Sequence, residues 1–194
     1  MGAVLNHYGA DNVTIIGVSL GGELCMRAAA MEPRIRRVVS WSVLPSIYGA
    51  LMADKPAEIR AKLEHWLDEN NREAILDLYA GLAEREPLFR WSIQHSNYAY
   101  GTSDVYEYLQ KARAFTMEPV AEQITQDVLL LSAREDLLVD FGLYKQEIDL
   151  LKNTRSLEFA VPGRALNGQA HCNMGNTKYM LDLILNWNDR MLER

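Results

Sequence analysis

The segment that most constrains the fold is residues 14–24, TIIGVSLGGEL. An apolar, β-branched run ends near Gly17, and a serine then stands among glycines just before a run of good helix formers. Residues 17–21 have the form G-x-S-x-G, preceded by a predicted strand and followed by a predicted helix. A serine on so sharp a turn needs a strained backbone, and its neighbours have little room for side chains. The segment therefore predicts a strand–turn–helix unit that projects the Ser19 hydroxyl above a sheet.

Other interpretations of this segment are a plain glycine-rich turn and a phosphate-binding loop. A dinucleotide-binding fingerprint needs G-x-G-x-x-G and an acidic residue near the end of the next strand, which is not evident here. No lysine follows the glycines, which argues against a P-loop. A nucleophilic serine is favoured. The N–H groups at the start of the helix, that of Leu20 above all, would then face a developing oxyanion.

Four short runs predict the strands of one parallel sheet, because helical patterns separate the members of each consecutive pair. These runs are residues 12–18, 35–43, 126–133 and 156–161. Residues 45–115 contain helical patterns and no good strand. We therefore predict an α/β protein with an open parallel sheet of about four strands in residues 1–44 and 116–194. Residues 45–115 are predicted to be an all-helical insertion.

Aromatic residues are concentrated in this insertion. Ten of the 17 aromatic residues fall between Tyr48 and Phe115. They could roof an apolar pocket that favours an aromatic or acyl substrate, or they could fill the core that the helices need; the second interpretation is favoured. Within the insertion, Ser103 is expected to cap a helix, and residues 95–104 could form a mobile edge.

A serine hydroxyl is a poor nucleophile without a base, and the base needs an orienting acid. On sheets of this kind the expected chain order is serine, acid, histidine. Asp136 comes just after the third predicted strand, and His171 is the only histidine beyond it. Glu135 and Asp140 remain alternative acids. Asp136 could also be a helix cap, and His171 could be a surface residue.

Composition excludes several other classes of function. The net charge is −6 and no dense Lys/Arg run occurs, which argues against nucleic acid and anionic membranes as partners. No signal peptide is evident, and no apolar run approaches the ~20 residues that a membrane helix needs. Cys25 and Cys172 have neither metal-site nor disulfide spacing, so both are expected to be structural and the compartment reducing and cytoplasmic. We expect no metal and no cofactor.

The segment HCNMGN, residues 171–176, follows LLLSAREDLLVD and precedes the last predicted helix. With the G-x-S-x-G turn, it resembles the α/β-hydrolases. More narrowly, it resembles the capped branch that includes fermentation–respiration switch esterase-like proteins and dihydroxypseudooxynicotine hydrolase. The resemblance covers nearly the whole chain. It implies that Ser19 is the nucleophile, Asp136 the orienting acid and His171 the base, and that the insertion caps the site.

The chain departs from that pattern at its start. A complete α/β-hydrolase has further strands before the serine, and a second oxyanion donor from an early loop. Only 18 residues precede Ser19. We therefore expect a fragment of a longer protein, an internal start, or a partner that supplies the rest. The strand at 13–18 would be an exposed apolar edge, which a second copy or rearranged N-terminal residues are expected to cover.

The predicted function is that of a serine hydrolase of esterase or acyl-hydrolase type, acting on a small ester or acyl substrate. One alternative is a catalytically silent hydrolase-like domain that acts in binding or oligomerisation. A weaker alternative is a carbon–carbon bond hydrolase that uses the same serine and histidine on a diketone-like substrate.

Overall fold

The computed structural model describes residues 1–53 and 55–194, and within them it contains a sheet of four parallel strands in the order β1-β2-β3-β4. The strands are β1 (Val13–Val18), β2 (Ile35–Trp41), β3 (Asp127–Leu131) and β4 (Ser156–Ala160). Each neighbouring pair is parallel. The predicted number and direction of the strands are confirmed.

The helices alternate with the strands, except between β2 and β3, where five helices occur in succession among the described residues. The helices are α1 (Gly2–Tyr8), α2 (Leu20–Met31), α3 (Ile47–Ala53), α4 (Ala57–Asp68), α5 (Arg72–Arg85), α6 (Pro87–Tyr100), α7 (Val105–Arg113), α8 (Leu143–Leu150) and α9 (Thr177–Leu192). In the part of the chain that the structure describes, no helix is long and apolar enough to span a membrane.

Contacts divide the chain into two compact units. The first, which we call the sheet unit, consists of Met1–Ala50 and Thr116–Arg194. The second, which we call the helical unit, is Leu51–Phe115.

Helices cover both faces of the sheet, because successive residues of a buried strand point to opposite sides. On one face, Met26 of α2 packs in a cluster with Val38 of β2 and Val128 of β3. On the other face, α9 contributes Ile184 and Trp187 to a second buried cluster. Strands that are covered on both sides need to be apolar along most of their length, which is why β2 and β3 are recognisable as unbroken apolar runs.

The helical unit has its own core. The rings of Tyr79 and Phe89 lie 5.5 Å apart between centroids, and Tyr100 contacts both Tyr108 and Phe115 edge-on. This packing supports the interpretation that the aromatic residues fill a core.

The helical unit differs from expectation in two details. Residues 95–100, expected at a mobile edge, form the last turns of α6, which begins at Pro87 and ends against Gly101 at φ 61°. Proline at the first position and glycine after the last are ordinary helix signals that the sequence analysis passed over. The N-cap of α7 is Asp104 rather than Ser103, because the Asp104 carboxylate accepts a hydrogen bond from the Glu107 N–H at 3.0 Å.

Candidate active site

Ser19 occupies the turn between β1 and α2 in a strained conformation, with φ 56° and ψ −122°. Glycines beside it make the turn possible. A Cβ on Gly17 would lie 1.8 Å from the carbonyl oxygen of Gly21, and one on Gly22 would lie 2.2 Å from that of Ser42. A Cβ on Gly21 would meet nothing within 4 Å. The close approach of α2 to β1 and to the chain after β2 therefore requires two of the three glycines, and it exposes the serine at the carboxyl end of β1.

The three residues singled out in the sequence lie in a hydrogen-bonded row. Ser19 Oγ is 2.9 Å from His171 Nε2, and His171 Nδ1 is 2.7 Å from Asp136 Oδ2. The other carboxylate oxygen of Asp136 accepts hydrogen bonds from the backbone N–H groups of Leu138 and Val139, at 2.8 and 3.0 Å. Asp136 thus closes its own loop and holds the imidazole, and it does not cap α8, whose N-cap residue is Gly142.

The other two candidate acids face elsewhere. The carboxylate of Glu135 pairs with the guanidinium of Arg164. Asp140 Oδ1 accepts a hydrogen bond from the Gly142 N–H at 2.7 Å. Asp136 is therefore the one of the three whose carboxylate contacts His171 in the described structure.

The electrostatics of the row follow from burial and hydrogen bonding. Burial of Asp136, whose side chain is 2% exposed, would by itself raise its pKa. Hydrogen bonds from His171 and from the loop N–H groups oppose this, and they bring the pKa of Asp136 below its usual value. The hydrogen bond to Asp136, with a smaller effect from the neighbouring Cys172 side chain, raises the pKa of His171 to about 10. An ionised carboxylate thus stabilises an imidazolium at this position.

The loop that carries His171 is held by Asn173, which the sequence analysis did not single out. Its amide nitrogen donates hydrogen bonds to the carbonyl oxygens of Ser132, just beyond β3, and of Gly168. Asn173 is 1% exposed and has a φ of 53°, and Cys172 before it has a φ of 51°. Asparagine is among the few residues that tolerate this left-handed conformation, so its place after a candidate histidine was an available signal.

Two further sequence predictions concern Leu20 and the two cysteines. Leu20 is the first residue of α2, where backbone N–H groups have no acceptor within the helix. Cys25 and Cys172 are both buried and are not joined by a disulfide. Among the described residues, no group of three or more His, Cys, Asp or Glu side chains could hold a metal ion.

The chain matches the alpha/beta hydrolase fold family over residues 1–164, and it belongs to that family. The resemblance inferred from the motifs is therefore confirmed at the level of the superfamily. A curated relative, Hydrolase LUC6 from Fusarium sp., is 26% identical over 117 residues, which cover 60% of this chain and 27% of that protein. The chain thus spans about a quarter of the length of this curated relative.

Solved structures show the same fold at low sequence identity. Alpha/beta hydrolase GrgF from Penicillium sp. sh18 matches with a TM-score of 0.63 at 14% identity, over 100% of this chain and 70% of that one. The 2,6-dihydroxy-pseudo-oxynicotine hydrolase matches with a TM-score of 0.55 at 19% identity, over 88% of this chain and 39% of that one. E-2-(acetamidomethylene)succinate hydrolase matches with a TM-score of 0.55 at 20% identity, over 97% and 70%.

Proposed function

We propose that this chain is a serine hydrolase that cleaves a small ester or acyl substrate with Ser19, His171 and Asp136. The observation that carries the proposal is the continuous row of hydrogen bonds, 2.9 Å from Ser19 Oγ to His171 Nε2 and 2.7 Å from His171 Nδ1 to Asp136 Oδ2. Nucleophile, base and orienting acid are the parts that acyl transfer requires, and a strained serine turn is where this fold exposes them. The names of the hydrolases that share the fold agree with this proposal.

In the proposed reaction, Ser19 Oγ attacks the substrate carbonyl carbon while its proton passes to Nε2 of His171. The Nδ1–H of His171 donates to Asp136 throughout, which fixes the tautomer and stabilises the imidazolium. The Leu20 N–H would donate to the carbonyl oxygen as that atom becomes negative, a type of contact whose loss typically costs about 10²–10³ in turnover. His171 then gives its proton to the leaving alcohol, and water activated by the same Nε2 hydrolyses the acyl-serine.

Exposed apolar residues next to Ser19 and Asp136 favour an apolar acyl group in the substrate. Leu137 and Leu138 directly follow Asp136 and are 96% and 67% exposed, and Leu20 is 37% exposed. Exposed leucines that flank reacting groups favour a hydrocarbon chain over a charged one. We propose that residues 45–115 act as a cap over such a substrate, as the resemblance implies.

The decisive experiment is intact-mass analysis after treatment with a fluorophosphonate, which reacts with an activated serine. We expect a single adduct on the chain, no adduct on Ser19→Ala, and an unchanged adduct on Ser103→Ala, which removes an exposed hydroxyl of the helical unit. No adduct on folded protein would contradict the proposal and favour the silent-domain alternative. A series of p-nitrophenyl esters and a diketone substrate then separates the esterase from the carbon–carbon hydrolase.

The cellular compartment and the oligomeric state of the chain are also proposals. The two free, buried cysteines suit a reducing compartment, which we propose is the cytoplasm. Strand β1 is an edge of the described sheet, and Ile16 and Val18 are 45% and 43% exposed there. We propose that a second copy of the chain covers this edge. Light scattering should give the mass of a dimer, and a monomer at high concentration would contradict this.

A further inference from the structure

A cavity in the sheet unit lies apart from the residues of the proposed reaction. Its volume is about 540 Å³, within the range of about 300–1,000 Å³ that small-molecule sites occupy. Five of the 14 arginines of the chain line it, together with a single carboxylate, Asp11. These arginines are Arg34, Arg36, Arg37, Arg155 and Arg194. Such a concentration of positive charge is unusual in a protein whose net charge is −6.

The cavity lies at the amino ends of the strands. Asp11 precedes β1, Arg36 is the second residue of β2, and Arg155 directly precedes β4. Ser19 follows the carboxyl end of β1, which has six residues. At about 3.3 Å per residue, roughly 20 Å separate the two ends of that strand. The cavity therefore lies at the amino ends of the strands, and the row of Ser19, His171 and Asp136 lies at their carboxyl ends.

Part of the positive charge is already neutralised. Arg34 makes an ion pair with Glu32 at 2.7 Å, and Arg155 pairs with the buried carboxylate of Asp127. The charges of these two arginines are therefore paired within the protein and are not available to a ligand.

Three lining arginines lack a carboxylate partner. Arg37 is 4% exposed, and its guanidinium donates to neutral oxygens, which include Thr14 Oγ1 at 2.7 Å and Asn12 Oδ1 at 2.9 Å. Arg36 and Arg194 have no ion pair with any residue that the structure describes. Burial lowers the pKa of Arg37, the nearby negative charge of Asp127 opposes this, and the positive charges of Arg155 and Arg36 lower it further. The buried carboxylate of Asp127 offsets part of the positive charge around the cavity, and an anion in the cavity would offset more of it.

We infer that this cavity binds a small phosphorylated molecule, held through its phosphate groups by Arg36 and Arg194, with the buried charge of Arg37 behind them. Planar guanidinium groups bind phosphate oxygens in pairs, and Arg36 of β2 and Arg194 beyond α9 reach the cavity from two different elements, which suits a tetrahedral group with oxygens on all sides better than one flat carboxylate. This inference does not depend on the proposed hydrolase activity.

Calorimetric titration with inorganic pyrophosphate at low salt tests the inference. The comparison protein is the Arg36→Gln/Arg194→Gln double variant, since both side chains are exposed and neither has an ion pair among the described residues to lose. Arg60→Gln is the matched control, because it removes an exposed arginine from α4. A hydrogen bond to a charged group contributes about 1.5 kcal/mol or more, which is roughly tenfold in affinity for each arginine. We expect pyrophosphate to bind the parent chain and Arg60→Gln alike, and the double variant about 100-fold more weakly.

Three results would overturn the inference. The first is the absence of pyrophosphate binding to the parent chain, and the second is equal binding by the double variant. The third is equal or tighter binding of citrate or of a single-stranded oligonucleotide, which would assign the cavity to carboxylates or to nucleic acid. Each readout is a binding constant, so an inactive Ser19 would leave the test intact.

Discussion

We predict that Glu147 on α8 makes the stability of the sheet unit fall as pH rises. It is completely buried, and neither carboxylate oxygen makes a hydrogen bond with the described residues. The nearby Ser40 hydroxyl donates instead to the carbonyl oxygen of Ser42. Burial raises the pKa of Glu147 to about 8. The nearby Leu44 N–H and Ser40 hydroxyl oppose this without forming hydrogen bonds to it, and the negative charge of Glu23 adds to it. At neutral pH this carboxyl is therefore mostly protonated in the folded chain.

The sign and size of the effect follow from linkage. Because the folded pKa of about 8 exceeds the unfolded value of 4.5, this group contributes its full stabilisation below pH 4.5 and loses it as pH rises through 8. With these two values, raising the pH from 6 to 9 removes about 2.5 kcal/mol of unfolding free energy. For a chain of this length, that corresponds to a fall in Tm of about 7 °C.

The assay compares the parent chain with Glu147→Gln by thermal and urea unfolding at pH 6, 7.5 and 9. Glutamine keeps the shape and cannot ionise. The unfolding free energy of the variant, relative to that of the parent chain, should therefore rise by about 2.5 kcal/mol between pH 6 and 9. Taking the difference cancels other groups that titrate in both proteins, including His171. Glu118→Gln, which changes an exposed glutamate of the same unit, is the matched control. A constant difference between Glu147→Gln and the parent across this range would refute the reasoning.

Three other predictions concern the serine turn and the loop beyond β4. Gly22→Ala brings a Cβ to 2.2 Å from a carbonyl oxygen and should cost about 2 kcal/mol or more in urea unfolding, whereas Gly21→Ala, with open space, should be neutral or stabilising by up to ~1 kcal/mol. Asn173→Ala should slow fluorophosphonate labelling of Ser19 by about ten- to a hundredfold, because the imidazole moves with its loop. The labelling rate should rise between pH 7 and 10, because the pKa of His171 is raised to about 10 and only the neutral ring accepts the serine proton.

The outcomes that contradict these predictions are equally specific. Equal urea midpoints for the two glycine variants would mean that the turn can widen. Unchanged labelling of Asn173→Ala would mean that its hydrogen bonds do not position the imidazole. A labelling rate that levels off below pH 7 would mean that Asp136 does not raise the pKa of His171 in solution.

The sheet and the motif at its edge were predictable because their determinants are local. A buried parallel strand must be apolar along its length, and a turn as sharp as the one at Ser19 requires small neighbours. The insertion was less predictable. The last turns of α6 were expected at a mobile edge because exposed residues such as Trp91 and Tyr98 blur its apolar pattern, and only Pro87 and Gly101 mark its ends.

The sequence by itself determined the family, the four strands and a short list of residues that could do chemistry. Chain order and residue type were enough for that, since strand periodicity and turn sterics depend on neighbours a few positions apart. Only the tertiary structure decided that Asp136 rather than Glu135 or Asp140 contacts His171, that Asn173 holds the loop, and that scattered arginines share one cavity. These choices depend on where segments over 30 residues apart meet across the sheet, and packing of the whole unit sets those distances.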